Sequence, residues 1–444
     1  MVRRFLPLVS LLGLLWLGAC SSNDSPDGDA AATPAIDEIV EAQKRIRLEG
    51  QAGRWTKVRQ AGSEDQLTEE QRRQIRRLES LGYVGGSQLA PTMKNVVVHD
   101  PDRAWSGLNF FTTGHAPVAL LMDMDGQVLH RWGLGYWRVW PDSDVDRNHD
   151  GTMHWRRARI LPGGDLLAIF EGLGIVKIDR YSNLIWANHC RAHHDLEVLP
   201  DGDIIVLSRE ARLIPRLHPR TPVLEDFVLR LGPDGEIKQR VSLLEAFENS
   251  EEWRHLLDRL RVTAGNIFHT NSVEWLDGRH AEHHPEFTAG RVLISMRETH
   301  TVAVVDLDRV EVMWVLQDDF RSQHDATMLD SGQLMLFNNN YQPGMSSVDR
   351  YNPATGIRTW RFTGTPERPF YSRTCSTSQP LPNGNILITE SDNGRVFEID
   401  EAENTVWEFY NPNRTGETNE YIATLFEVLR LPADYPVDWA VTPR

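Results

Sequence analysis

With 444 residues, 40% of them apolar and 14 of them Trp, the chain has room for one large all-β domain or two to three smaller ones, and for a sizeable core. Its formal charge of −16, from 63 Asp and Glu against 47 Lys and Arg, excludes a general nucleic-acid binder, because no surplus of cations is left to track phosphates. Any anion site has to be a local gathering of positive groups inside an acidic protein.

The chain starts MVRRFLPLVSLLGLLWLGAC. Arg3 and Arg4 precede an apolar run from Phe5 to Leu17, and small residues then end at Cys20. That is the pattern of a secretory signal, and the run is too short to cross about 30 Å of hydrocarbon as a helix. LGAC resembles a bacterial lipobox, which implies a signal peptide over residues 1–19 and a lipidated Cys20 as the mature N-terminus. Ser21 resembles the pattern of outer-membrane lipoproteins, so the expected address is the cell envelope, anchored by lipid and facing the periplasm. Cys190 and Cys375 could pair in that oxidising compartment, but two cysteines set no spacing to test.

Residues 20–35 are small and polar, as a tether is. Residues 36–90 read as a short arm with helices at 36–50 and 67–81, the second opened by the capping-box pair Thr68 and Gln71 and the arm broken by GYVGG. A spacer or a strap against the main body is the expected use.

From about residue 91 to 430 the texture is β-rich, and a unit recurs. It consists of an apolar strand, a Pro-Asp-Gly type of turn and a second strand, then a strand ending in Asp, a turn and a strand ending in Trp. Copies span 158–187, 196–210 with 227–241, 273–278 with 290–316, 326–340 with 347–362, and 378–409; a partial copy spans 117–132. The turn glycines stand at 164, 202, 278, 332 and 384. Repeated four-stranded units predict an all-β, six-bladed β-propeller, followed by a tail over 431–444. Trp186, Trp314, Trp360 and Trp407 close successive units and are expected to pack blade against blade.

Counted from the turn glycines, the polar residues fall into register. His194 lies eight residues before Gly202, His269 nine before Gly278 and His324 eight before Gly332. Thr374 and Ser376 lie ten and eight before Gly384, and Arg297 follows in the second strand of its blade. Innermost strands face the channel of a propeller, so three imidazoles and a hydroxyl are expected at one mouth. Converging imidazoles suit a divalent metal or an anion. A guanidinium repels a cation and grips a sulfate, phosphate or carboxylate through two parallel bonds, so Arg297 favours the anion, and no metal or cofactor is expected. His280, His283 and His284 sit in an insertion that reads as a solvent-exposed loop.

The order HHDLEVLPDGDIIVL, HTNSVEWL, VLISMRETHTVAVVD, QHDATMLDSGQLMLFNN and STSQPLPNGNILITES resembles the bacterial arylsulfate sulfotransferases, PAPS-independent enzymes built on a six-bladed propeller. The resemblance covers roughly 150–410. It implies transfer of a sulfuryl group from a small aryl sulfate to a phenol through a histidine that is transiently sulfurylated. By motif position His324 would be that nucleophile. His194, His269 and Arg297 would bind the sulfuryl oxygens, with Asn271, Thr374 and Ser376 nearby. Where that family carries a β-rich N-terminal domain, this sequence reads as a tether and two helices, so the family's dimer is not carried over, and Tyr341 and Tyr371 are the available candidates for its aryl-side tyrosines. Two other readings remain at this stage: a lipoprotein propeller that binds or scaffolds without turnover, and a quinoprotein-like propeller. The latter rests on a single NPATGIRTW and lacks evident calcium carboxylates.

Overall fold

In four of the repeats a leucine starts the turn and a glycine ends it. Leu199 donates its N–H to Asp203 O (2.8 Å) while Gly202, at φ 86°, donates to Leu199 O (2.9 Å). The same pair of bonds recurs at Leu161, Leu329 and Leu381. A β-carbon is disfavoured at that φ, so the repeating glycine marks the hairpin between the first two strands of a blade. The computed structural model describes residues 54–57 and 93–440, apart from 148, 218–221, 263–264 and 417–418. The signal, Cys20, the tether and both expected N-terminal helices lie outside the described residues.

Six antiparallel sheets form the ring. Blade two runs, from the inside out, Arg157–Ile160, Leu166–Phe170, Gly174–Ile178 and Leu184–Asn188. Blade three begins with Ala192–Val198, blade four with Thr270–Trp275, blade five with His324–Met328 and blade six with Thr377–Pro380. The partial copy belongs to blade one. Its strands Gly107–Thr113, Val118–Met122 and Val128–Gly133 receive their innermost partner from the other end of the chain, Leu425–Pro432. Asn95–His99 in turn adds a fifth, outermost strand to blade six. Trp439, beyond the last strand, packs on Trp132 and His130, with ring centroids 5.6 and 5.3 Å apart.

Neighbouring blades are fastened twice. On the outside, indole N–H groups reach the next blade: Trp132 to Gly164 O (2.9 Å), Trp186 to Pro233 O (3.0 Å), Trp314 to Pro353 O (3.2 Å) and Trp407 to Met124 O (2.8 Å). Trp360 instead lies under Arg350 of its own blade, 4.7 Å from the guanidinium carbon. On the inside, the innermost strands diverge and leave N–H groups unpaired along the channel. Side chains of the preceding blade satisfy them: Asp195 takes Val273 N–H (3.0 Å), Glu274 takes Met328 N–H (2.8 Å) and Asp325 takes Ser378 N–H (2.7 Å).

Burial pushes the Glu274 carboxyl up to about 7 against the opposing pull of the Met328 N–H. A raised carboxyl stabilises the fold at low pH and loses that contribution as pH rises through about 7. Glu274→Gln keeps the acceptor and cannot ionise. Its melting temperature should therefore match wild type at pH 4 to 5 and exceed it by a few degrees at pH 8; an equal shift at both pH values, in parallel melting curves, would refute the account.

Candidate active site

The mouth opposite the turns is built by one position in every blade. Blade two offers Arg156, blade three His194, blade four His269, blade five His324, blade six Thr374 to Ser376 and blade one Phe426. In blades three to six the backbone around this position is left-handed: φ is 53° at His194, 52° at His269, 56° at Asp325, and 56° and 80° at Cys375 and Ser376. Register shifts in the first strand pair of blades three, four and five accompany it. Bulges of this kind re-aim side chains, and the strain, about 1–3 kcal/mol per residue, persists because the surrounding sheets over-determine it.

His324 is 3% exposed. Its Nδ1 faces two acceptors, Ser322 O at 3.0 Å and Asn339 Oδ1 at 2.8 Å. The Asn339 amide is oriented by donating to Ser372 O and Cys375 O, both at 2.9 Å. Two acceptors at Nδ1 require the proton there, which leaves the lone pair on Nε2. Burial, and then the charge of Arg156, hold this imidazole well below its usual pKa, so it is neutral at pH 7.

His194 and His269 meet tip to tip, with Nε2 atoms 3.2 Å apart. Asn266 accepts the His269 N–H on Oδ1 (3.1 Å) and so turns its amide nitrogen onto His269 Nδ1 (2.8 Å), which puts the ring proton of neutral His269 on Nε2. His194 Nδ1 sits 2.9 Å from His193 Nδ1 and 3.3 Å from Glu171 Oε1. Burial, aided by Arg297, lowers His269 to about 3, and burial, aided by Arg156, lowers His194 as well. Burial alone would raise Glu171, but Arg209, His193 and Arg156 outweigh it and hold the carboxyl at about 2.

The other expected residues divide. Arg297 lies in the turn just after its strand, and its guanidinium pairs with Glu298 while its N–H bonds His269 O (3.1 Å). Asn271 is buried and donates to Gln323 O (2.8 Å), bracing the backbone that carries His324. Thr374 is tied to Asp392 through N–H (2.9 Å) and hydroxyl (2.8 Å). Ser376 exchanges bonds with Ser391 (2.8 and 3.2 Å), so its hydroxyl serves the loop rather than the histidines. Cys190 and Cys375 are both free. His280 is buried at 8% exposure, contrary to the exposed loop expected of it, while His283 is exposed. Tyr341 lies under the Arg361 guanidinium, 3.9 Å away, and Tyr371 is half-buried.

Glu171, His193, Arg209, Asn266, Asn339 and Phe426 were not singled out from the sequence, and neither were two arginines of the mouth. Arg156 is 2% exposed, its Nη1 has no hydrogen-bond partner among the described residues, and the carboxylate oxygen paired with it, on Glu171, is 3.9 Å away. Arg209 holds Glu171 more tightly, at 3.2 Å, and Arg297 is taken by Glu298, so Arg156 is only weakly compensated and keeps its Nη1 free of protein acceptors among the described residues. Its signal was present, since Arg156 stands eight residues before Gly164, the offset of His194 and His324. The other is Arg54, immediately before the short strand Trp55–Lys57 that pairs with Tyr421–Ala423. It donates to Thr374 Oγ1 and lies 4.0 Å from Asp392. Arg156 and Arg54 flank the Phe426 ring at 5.1 and 5.8 Å. Below the mouth, Arg157 binds Asp195 (3.0 Å), Glu427 (2.6 Å) and His194 O (3.2 Å), forming a floor.

Glu171, His193 and His194 offer three ligand atoms within 4.8 Å of one another. Arg209 and Arg156 occupy the carboxylate's surroundings, and two guanidiniums beside a metal would repel it, so the donor set fits a cation poorly. The groups that face the mouth suit an anion: the imidazoles of His194 and His269, a guanidinium whose Nη1 is free among the described residues and the nucleophilic nitrogen of His324. A separate cleft of about 870 Å³ opens at the turn ends of blades four to six, lined by Glu274, Arg279, Arg350 and Trp360, on the far side from the histidines.

A family model described as arylsulfotransferase (ASST) matches residues 157–412, more than half of the chain. No curated protein matches. Among solved structures, a protein of unknown function from Bacteroides caccae is similar at 12% identity and TM-score 0.47, over 73% of this chain and 98% of that one. Virginiamycin B lyase from Staphylococcus aureus is similar at 11% identity and TM-score 0.40, over 75% and 94%.

Proposed function

We propose, since the chain belongs to the arylsulfotransferase family, that its sulfotransferase chemistry runs through His324, taking the sulfuryl group from an aryl sulfate and passing it to a phenol. The observation that carries the reading is the locked tautomer of His324, neutral and with its lone pair on Nε2. In the donor half-reaction Nε2 attacks sulfur in line, the N–S bond forms, and the S–O bond to the aryl group breaks with its electron pair on the departing oxygen. Nδ1–H stays on its two neutral acceptors. Neither is a base, so the sulfurylated ring remains a cation and a good leaving group. In the second half-reaction the phenol oxygen attacks sulfur and the N–S pair returns to Nε2. Arg156 and the Nε2–H of His269 would stabilise charge on the sulfuryl oxygens, at about 3 kcal/mol per donor by analogy with oxyanion holes, with His194 Nε2 beside the oxygen that links sulfur to the aryl group. The aryl and phenolic partners are small molecules; attachment to the envelope through Cys20 belongs to the same proposal and rests on the N-terminal sequence.

Purified protein should release 4-nitrophenolate from 4-nitrophenyl sulfate when a phenol is present, without any adenylyl sulfate donor, and should keep that rate after exhaustive chelation. Loss of turnover with EDTA that zinc restores would move the chemistry to Glu171, His193 and His194 as metal ligands.

A further inference from the structure

Behind His194, away from the channel, two buried polar atoms face each other without hydrogen-bond partners among the described residues. They are His193 Nε2 and Asp226 Oδ1, 4.0 Å apart, on residues 1% and 0% exposed. Each orphan costs about 1–3 kcal/mol if left so. A proton on Asp226 Oδ1 would satisfy both once the gap closes to hydrogen-bond length. Oδ2 is already committed as acceptor of the Thr270 N–H at 2.7 Å, which leaves Oδ1 to carry the proton. From His193 the path continues, Nδ1 to His194 Nδ1 at 2.9 Å, and His194 Nε2 stands at the channel beside His269 Nε2, 3.2 Å away.

We propose that Asp226, His193 and His194 form a proton relay that gives a proton to the departing aryloxide and recovers it from the acceptor phenol. The proposal rests on the sulfotransfer reading above. Without donor, Glu171 at 3.3 Å and the Nε2–H of His269 at 3.2 Å hold the His194 proton on Nδ1. With Asp226 protonated and the donor's aryl oxygen seated between the two rings, His193 carries its proton on Nδ1 and His194 on Nε2. As the S–O bond breaks, His194 Nε2–H protonates the aryloxide oxygen. His194 Nδ1 takes the proton of His193 Nδ1, and His193 Nε2 takes that of Asp226, which becomes a carboxylate. Three protons shift and one leaves the protein, on the phenol product. The acceptor phenol reverses every step when its oxygen attacks sulfur, so no outside acid or base enters the cycle. Glu171 Oε1, 3.3 Å from His194 Nδ1, accepts the proton-bearing nitrogen of the post-transfer tautomer.

The charges around the relay suit that role. Burial raises Asp226 to about 6 against the Thr270 N–H and Arg209, so its proton exchanges near neutrality. Burial and Arg209 lower His193 to about 3, which makes it a conductor and not a trap. Glu171 and Arg156 also face this pair, and the paired Glu171 is too acidic to store a proton.

A relay matters more when the leaving aryloxide is more basic. Asp226→Asn keeps an acceptor for Thr270 and cannot cycle a proton; His193→Phe cuts the wire with Asp226 intact. Label transfer to the enzyme should be timed with phenyl sulfate, whose phenolate has a pKa of about 10 like tyrosine's, and with 4-nitrophenyl sulfate, whose phenolate is far less basic. In both variants the ratio of the nitrophenyl to the phenyl rate should rise about a hundredfold. Equal losses on the two donors would mean a structural role and would overturn the relay. Wild-type enzyme that is labelled by neither donor would overturn the sulfotransfer reading instead. Infrared difference spectra of wild type against Asp226→Asn decide the relay even then. A buried protonated carboxyl band at pH 5 that is missing from the variant is expected, and no such band means no proton store.

Discussion

His324→Asn should abolish both half-reactions while leaving the propeller intact. A histidine that carries the sulfuryl group implies ping-pong kinetics, and donor alone should add about 80 Da, one SO₃, to a peptide containing residue 324. The variant should show no adduct and a fall in turnover of roughly 10⁴- to 10⁶-fold, the scale seen when a nucleophile is removed. The fold should persist because the imidazole faces the mouth; the neighbouring Ala326 and Met328, which face the core, are untouched. Circular dichroism and a melting curve close to wild type would establish that. An adduct found on His194 or His269 would keep the reaction and change the nucleophile. Full turnover in the variant would remove the sulfohistidine mechanism.

Arg156→Ala should lower kcat/KM for aryl sulfates by about a hundredfold to a thousandfold, on the order of 3–4 kcal/mol, because it removes a buried guanidinium at the mouth whose Nη1 has no hydrogen-bond partner among the described residues. It should also change the pH profile. Arg156 is the leading charge that depresses both His324 and His194, after burial itself. Without it their pKa values rise towards 6.5, so more of the nucleophile is protonated on the acid side. The acid limb of the rate profile should move to higher pH. Arg156→Lys should recover the limb's position, since the charge returns, but only part of the rate, since the planar fork does not. A variant with unchanged kcat/KM and an unmoved limb would exclude Arg156 from the site.

The ring of six blades was legible because the hairpin repeats its glycine and the outer strand its tryptophan. One blade looked incomplete in sequence, and its missing strand is Leu425–Pro432, which has no turn glycine after it and no neighbour in the linear pattern. The histidines were legible because they share one offset from the turn. Arg156 obeys the same rule from Gly164, but a search for imidazoles passes over an arginine. Arg54 and Phe426 lie outside the repeats, and nothing in their local sequence announces the mouth. Asp226 sits in a strand interior, where only the packing of blade three against His193 gives it meaning. The tautomers, set by Asn339 and Asn266, depend on contacts across 15 and 3 residues that no spacing rule anticipates.

The closure of blade one has a consequence for how the molecule comes to exist. Gly107–Thr113 is made early and its partner Leu425–Pro432 nearly last, so during synthesis the first blade waits with an open edge while five others are completed. The same late segment delivers Phe426, and its neighbour Tyr421–Ala423 holds the strand that follows Arg54. Closure of the ring and completion of the mouth therefore coincide late in synthesis. A nascent or prematurely terminated chain has neither a sealed ring nor a finished mouth.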